Sequence, residues 1–173
     1  KLVSVHIDGD LADQNTYQLT EEALTLTNPP NAPEFSVSIV TRLNPAANTK
    51  LMGLYQSNGV FCTQCEAEGF RRITFFPDRP DVLSTYDVYL EADAASAPVL
   101  LSNGNPGATG KLDNGRHFAK WHDPHPKPCY LFALVAGQLD VLKDNFTTAS
   151  GRPVDLAIYV ELGKAELASF AMD

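Results

Sequence analysis

Long apolar runs are missing from this chain. The longest, Tyr130–Ala136, has only the length of a strand, and a membrane span needs about 18 consecutive apolar residues; no membrane partner is expected. Basic residues are scarce: Lys and Arg number 13 against 21 Asp and Glu, for a net charge of −8. The one adjacent basic pair, Arg71–Arg72, sits among Glu66, Glu68, Asp78 and Asp81. Such a surface repels phosphate backbones, so nucleic acid is excluded as a partner. Cysteine is limited to Cys62, Cys65 and Cys129. That number is odd and too small for a disulfide scaffold. Lys1–Asp10 also lacks the charged-then-apolar pattern of a secretory signal, so the expected location is the cytoplasm. The Asn145-Phe146-Thr147 acceptor pattern is then fortuitous. Repeats and low-complexity tracts are absent.

The catalytic inventory is equally thin. The chain holds no H-E-x-x-H, G-x-S-x-G, P-loop or G-x-G-x-x-G. Its nearest glycine cluster, Gly104 to Gly110, reads as a hairpin loop. Cys62 and Cys65 have C-x-x-C spacing, but the segment continues strand-like from Val60. Positions three apart on a strand point to opposite faces, so one metal cannot take both thiols. His117, His122, His125 and Cys129 offer ligand types, yet Pro124, Pro126 and Pro128 spread them along an extended loop. No metal site and no catalytic residue are expected within these 173 residues.

What the chain does have is alternation. Apolar residues make up 44% of it, enough for a packed core, and they recur at period two. Strands are expected at Leu2 to Ile7, Tyr17 to Leu19, Ala23 to Thr27 and Phe35 to Val40. More follow at Gly53 to Gln56, Val60 to Gln64, Thr85 to Ala92 and Val99 to Ser102. The last three are Arg116 to His122, Cys129 to Ala136 and Val154 to Glu161. Asp8-Gly9, Ser57-Asn58-Gly59 and Asp113-Asn114-Gly115 supply turns. Many short strands with regular turns define an all-β antiparallel sandwich. Helix is expected only around Glu68 to Phe75 and at Lys164 to Met172, with Gly163 as a boundary.

Thr63 to Pro80 carries the chemistry. Gln64, Glu66 and Glu68 recur at every second position. If the strand persists to Glu66, Gln64 and Glu66 share a face. A carboxylate beside a neutral amide makes a receptor for a primary ammonium: one gives a charge-assisted hydrogen bond, the other a second acceptor. A solvated acidic strand end, with Arg71 and Arg72 paired to nearby carboxylates, is the competing reading on spacing alone.

This segment resembles the aminopeptidase N family of zinc exopeptidases, whose members carry Thr-Gln-x-Glu, then an arginine, an aromatic residue and Asp-x-Pro. Thr63-Gln64-Cys65-Glu66, Arg71 or Arg72, Phe75 and Asp78-Arg79-Pro80 match without a gap. Leu101-Ser102-Asn103-Gly104-Asn105 and the stretch from Trp121 through Asp123-Pro124, Pro126-Lys127-Pro128 and Tyr130-Leu131-Phe132-Ala133-Leu134 to Gly137 look like the bacterial branch. The resemblance implies a twisted, saddle-like antiparallel β-sandwich over residues 1–162, entered after its first strands. Residues 163–173 would then be a linker or the start of an absent catalytic domain. It implies that the parent protein is a zinc-dependent aminopeptidase whose zinc is bound outside this chain, and that the fragment alone is inactive. Glu66 would bind the free α-amine of a peptide, together with a glutamate of the missing domain, and Gln64 would line the pocket for the first side chain. Partners are then that catalytic domain and peptides with a free N-terminus. Arg71, Arg72 and Asp78 would pin the loop. The alternative is a stand-alone, non-catalytic sandwich that binds a ligand or peptide.

Overall fold

The period-two pattern becomes antiparallel strands throughout the computed structural model, which describes residues 1–172. In chain order the strands are β1 (Leu2–Ile7), β2 (Asp10–Leu11), β3 (Tyr17–Leu19), β4 (Leu24–Leu26), β5 (Val37–Thr41), β6 (Gly53–Ser57) and β7 (Val60–Gln64). After a loop come β8 (Ser84–Asp93), β9 (Val99–Ser102), β10 (Asn105–Lys111) and β11 (Arg116–Lys127). The set closes with β12 (Leu134–Gly137), β13 (Leu139–Thr147) and β14 (Pro153–Glu161). Asp8-Gly9 joins β1 to β2, and Asn58-Gly59 joins β6 to β7. In both turns the two central residues have positive φ, as two-residue hairpins of this twist require.

Two sheets form the sandwich: β10-β11-β8 and β6-β7-β12-β9. Between them lie Ala97, Leu100, Ala119 and Ala136, all buried, with Phe61, Leu90, Trp121 and Leu134 packed around them. The three alanines let the sheets approach closely, and Leu100 fills the gap. Trp121 lends its ring to this core while its indole N–H donates to the Leu100 carbonyl at 3.1 Å. Strand β8 alternates inward and outward along its whole length, so Val88 and Leu90 face in beside their β11 partners Trp121 and Ala119. A separate sheet, β2-β1-β5, buries Val5, and two hairpins, β3-β4 and β13-β14, complete the set.

Three expectations need correction. The glycine cluster is strand β10, not a hairpin loop. It has no apolar alternation, but β11 offers it a ladder, and Pro106 is tolerated because β10 is an edge. Cys129 to Ala136 is not one strand. Pro128 starts a 3₁₀ turn at Cys129–Leu131, and the ladder begins only at Leu134. Strand β13 has no counterpart among the expected strands; it forms by pairing along its whole length with β14. The helical expectations hold in shortened form. Phe70–Arg72 is a 3₁₀ turn, and Ala165–Ala168 is another that runs into α1 (Ser169–Met172).

The surface is large for the mass. It measures 11903 Å², where a compact monomer of 18.8 kDa exposes about 8,300 Å². Much of the excess is apolar: Leu11 is 71% exposed, Phe146 58%, Leu167 79% and Phe170 90%. These residues are spread over β2, β13 and the C-terminal turn. Among the described residues, no helix is long and apolar enough to cross a membrane.

Because Leu100 is the largest buried side chain of the inter-sheet core, Leu100→Ala is expected to lower unfolding stability by about 2–4 kcal/mol. Urea denaturation followed by circular dichroism measures this. A loss below about 1 kcal/mol would mean that the two sheets do not share one core.

Candidate functional site

The Thr63 to Pro80 segment begins on β7 and leaves the sheet at Gln64. Thr63 secures the exit: its hydroxyl accepts the Leu134 backbone N–H at 2.8 Å and donates to the Leu134 carbonyl at 3.4 Å. The strand does not persist to Glu66. Cys65 turns inward and is buried with Phe70 and Cys129, while Phe76, Tyr86 and Phe132 pack against them. Phe70 meets Phe76 and Phe132 edge-on, with ring centroids 5.1 and 5.2 Å apart. This second apolar cluster draws the chain away from the ladder and forces a turn over Glu66 to Glu68.

Gln64 therefore ends strand β7 and Glu66 opens the turn that follows, so the two do not share a strand face. Both are exposed. The Gln64 amide N–H₂ donates to the Glu66 carbonyl at 3.0 Å, and the amide oxygen has no donor among the described residues. No hydrogen bond or ion pair engages the Glu66 carboxylate among the described residues. The peptide between Glu66 and Ala67 is cis. Gly69 closes the turn. Its N–H donates to the Cys65 carbonyl at 2.8 Å, and a methyl group there would lie 2.1 Å from the Gln64 carbonyl oxygen. Only glycine fits against that backbone.

Asp78 is the anchor of the segment. Its side chain is 5% exposed, so its charge needs partners, and it has three. The Cys129 thiol donates to Oδ1 at 3.0 Å, and the Arg71 backbone N–H and Nε each donate to Oδ2 at 3.0 Å. Arg71 Nη2 also caps the Asp78 carbonyl at 2.8 Å, and its Nη1 lies 3.6 Å from Glu68. The expectation that Arg71 and Asp78 pin the loop is met. Arg72 makes no such pair among the described residues.

The electrostatics follow from this burial. Desolvation works against the Asp78 charge, but the hydrogen bonds from Cys129 and Arg71 outweigh it and hold the carboxyl below its ordinary range. Cys129 is pushed up to about 12, first by burial and then by its hydrogen bond to Asp78. Cys65 is pushed up to about 11, by burial and then by the Asp78 charge. At neutral pH both thiols keep their protons, and Cys129 must keep its proton to donate. Neither has the electropositive surroundings of a reactive thiolate.

The remaining ligand types are scattered. His117 Nε2 lies 2.7 Å from the Ala97 carbonyl, and His122 Nδ1 lies 2.6 Å from Asp87 Oδ1. Asp123, the one buried acid on β11, pairs with Lys127. Among the described residues, no three His, Cys, Asp or Glu side chains converge as a metal would need. The Cys129–Asp78 bond had no separate signal in the sequence, because the two residues lie 51 positions apart and meet only when the strands fold.

Set against known proteins, the chain matches the family model of the peptidase M1 N-terminal domain over residues 1–131. It is 57% identical over 173 residues to an aminopeptidase N of Caulobacter vibrioides, covering all of this chain and 20% of the relative. Against an aminopeptidase N of Escherichia coli it is 54% identical over 172 residues, covering 99% and 19%. The chain thus spans about a fifth of the length of these relatives. Among solved structures, Legionella pneumophila aminopeptidase A in complex with aspartic acid superposes with a TM-score of 0.94 at 39% identity, covering 99% of this chain and 20% of that one. An M1 zinc metallopeptidase from Deinococcus radiodurans shares the fold, with a TM-score of 0.73 at 18% identity, 94% of this chain and 38% of that one.

The depressed folded-state pKa of Asp78 gives a pH signature. The stability it contributes is fully present above the unfolded carboxylate pKa of about 3.9 and is lost as pH falls through the lower folded value. Asp78→Asn is expected to cost about 1–3 kcal/mol at neutral pH. The gap to the unsubstituted protein should narrow as urea melts are moved toward about pH 2. A gap of constant size across that range would remove the Asp78 charge from the account.

Proposed function

Because the chain belongs to the peptidase M1 N-terminal domain family, we propose that it is the substrate-anchoring part of a zinc-dependent aminopeptidase, with Glu66 and Gln64 as its contribution to the site. The observation that carries this reading is the Glu66 turn. It presents an unengaged carboxylate and an oriented amide two residues apart, held against rigid strands by Gly69 and Thr63. An α-ammonium needs a fixed negative acceptor and a second neutral one, and this turn offers both.

Residues 1–162 form the anchoring domain in this reading, and residues 163–173 lead into a catalytic domain. That domain covers the apolar surface left open here, and the area in excess of a compact monomer is what supports a large docked partner. The described residues do not fit zinc, since no three ligating side chains converge, so the metal belongs to the catalytic domain and the chain alone is inactive. Closure of that domain over the turn desolvates Glu66, which strengthens its bond to the ammonium. In this reading Gln64 lines the pocket for the first side chain of a bound peptide. A free chain end is selected because a buried carboxylate left without a cation is costly. The Legionella relative, whose structure holds an amino acid with a free α-amine, supports this substrate class. Three unpaired cysteines fit a reducing compartment, and the cytoplasm is proposed as the location.

Glu66→Ala in the full-length protein tests the reading. The expected outcome is a fall in kcat/KM toward aminoacyl substrates of about 30-fold or more, equivalent to about 2 kcal/mol of lost transition-state binding. Unchanged kcat/KM removes Glu66 from the site. Ligand binding by the 173-residue chain alone would favour an independent binding module.

A further inference from the structure

The Glu66 carboxylate makes no bond among the described residues, so its position depends on whatever holds its turn. On the strand side this is β7, through Thr63 and the ladder partner of Gln64, Gly53. On the other side the turn runs through Gly69 into the 3₁₀ turn Phe70–Arg72, and Arg71 is the residue there with fixed partners. Arg71 spans the gap. One end of its guanidinium reaches Glu68, two residues from Glu66, and the other end and its backbone N–H are tied to Asp78. Asp78 in turn is held by Cys129, which is 1% exposed.

We propose that Asp78 and Cys129 are positioning residues for the amine anchor, forming a thiol–carboxylate–guanidinium latch that fixes where Glu66 stands. This inference rests on the reading of Glu66 given above. The chemistry suits the task. Oδ1 takes the thiol and Oδ2 takes two donors from Arg71, so the carboxylate cannot rotate without breaking several bonds. Cys129 is itself fixed by the 3₁₀ turn after Pro128. The Asn103 side chain clamps that turn from both sides, donating to the Leu131 carbonyl at 3.0 Å and accepting the Ala133 N–H at 2.5 Å. The latch therefore references the Glu66 turn to the β9–β12 sheet, a rigid frame. Displacement of an anchoring group by about 1 Å is enough to cost about 100-fold in a reaction that depends on it. Cys129 contributes as a small, weakly polar donor that tolerates an apolar cluster; its raised pKa keeps the donor protonated.

A latch that only stabilised the fold would act on all ligands alike. One that positions Glu66 acts on the α-amine alone. The experiment compares inhibition of the full-length protein by L-alanine hydroxamate and by propanohydroxamate, which lacks the amine, in Asp78→Asn, Cys129→Ala, Cys129→Ser and Glu66→Gln. In Asp78→Asn and Cys129→Ala the preference for the amine is expected to fall by about 10-fold, with propanohydroxamate affinity unchanged. Cys129→Ser, whose hydroxyl can donate to Asp78, should keep the preference within about 3-fold. Loss of affinity for both inhibitors in equal measure overturns the proposal, as does an unchanged preference in Cys129→Ala. Should Asp78→Asn not accumulate as folded protein, the contrast between Cys129→Ala and Cys129→Ser decides the matter. Glu66→Gln separates the two levels. If it abolishes the preference while the latch variants do not, the latch fails and the anchor stands. If it too leaves the preference intact, the anchor itself is wrong.

Discussion

A carboxylate removed from water must find donors, and the way Asp78 finds them organises the region of the proposed amine anchor. Its three bonds tie together parts of the chain that the sequence keeps far apart: the loop after β7, the entry to β8 and the turn before β12. Each bond is matched to its surroundings. The thiol reaches the carboxylate from inside an apolar cluster, where a more polar donor would need further partners. The arginine reaches it from the half-exposed side, where its other nitrogens meet the Asp78 carbonyl and Glu68. Phe70, Phe76 and Phe132 pack in the same cluster as Cys129, with Phe70 meeting the other two rings edge-on.

Two kinds of order meet at the Glu66 turn. The sandwich supplies a frame of hydrogen-bonded ladders with an alanine-lined interior that permits little sliding. The loop cluster supplies direction, because it sends Cys65 inward and so sends Gln64 and Glu66 outward. An exposed pair of acceptors on a rigid support is well suited to recognition, since little ordering entropy remains to be lost on binding. The same side chains left in a flexible loop would have the charge without the geometry.

The open apolar surface belongs to the same picture. A domain of this size ordinarily hides more of itself, and the exposed residues are spread over β2, β3, β13 and the C-terminal turn rather than gathered in one patch. The proposed catalytic domain would meet the chain across much of its length. The Glu66 carboxylate, solvated here, would acquire its full electrostatic strength only on that contact, because the Coulomb energy of an ion pair rises as water is excluded.

Local pattern determined most of the strand set. β1, β3, β7 and β9 run over the residues that alternation and flanking turns assign to them, because a half-buried strand leaves a period-two imprint and Asn-Gly or Asp-Gly leaves a turn. The Thr-Gln-x-Glu segment was legible in the same way, as residue types and spacing, and its likeness to a family pointed to Gln64 and Glu66. What alternation could not assign was structure that exists only through a partner. β10 is a strand because β11 is beside it, β13 because β14 is, and the expected strand at Cys129 breaks because Asp78 and Asn103 capture that turn. Contacts between residues far apart in the chain carry no local signature. The sequence therefore determined which residues are proposed to meet an ammonium, and the tertiary structure alone decided that Gln64 ends a strand, that Glu66 opens the turn after it, and what holds that turn in place.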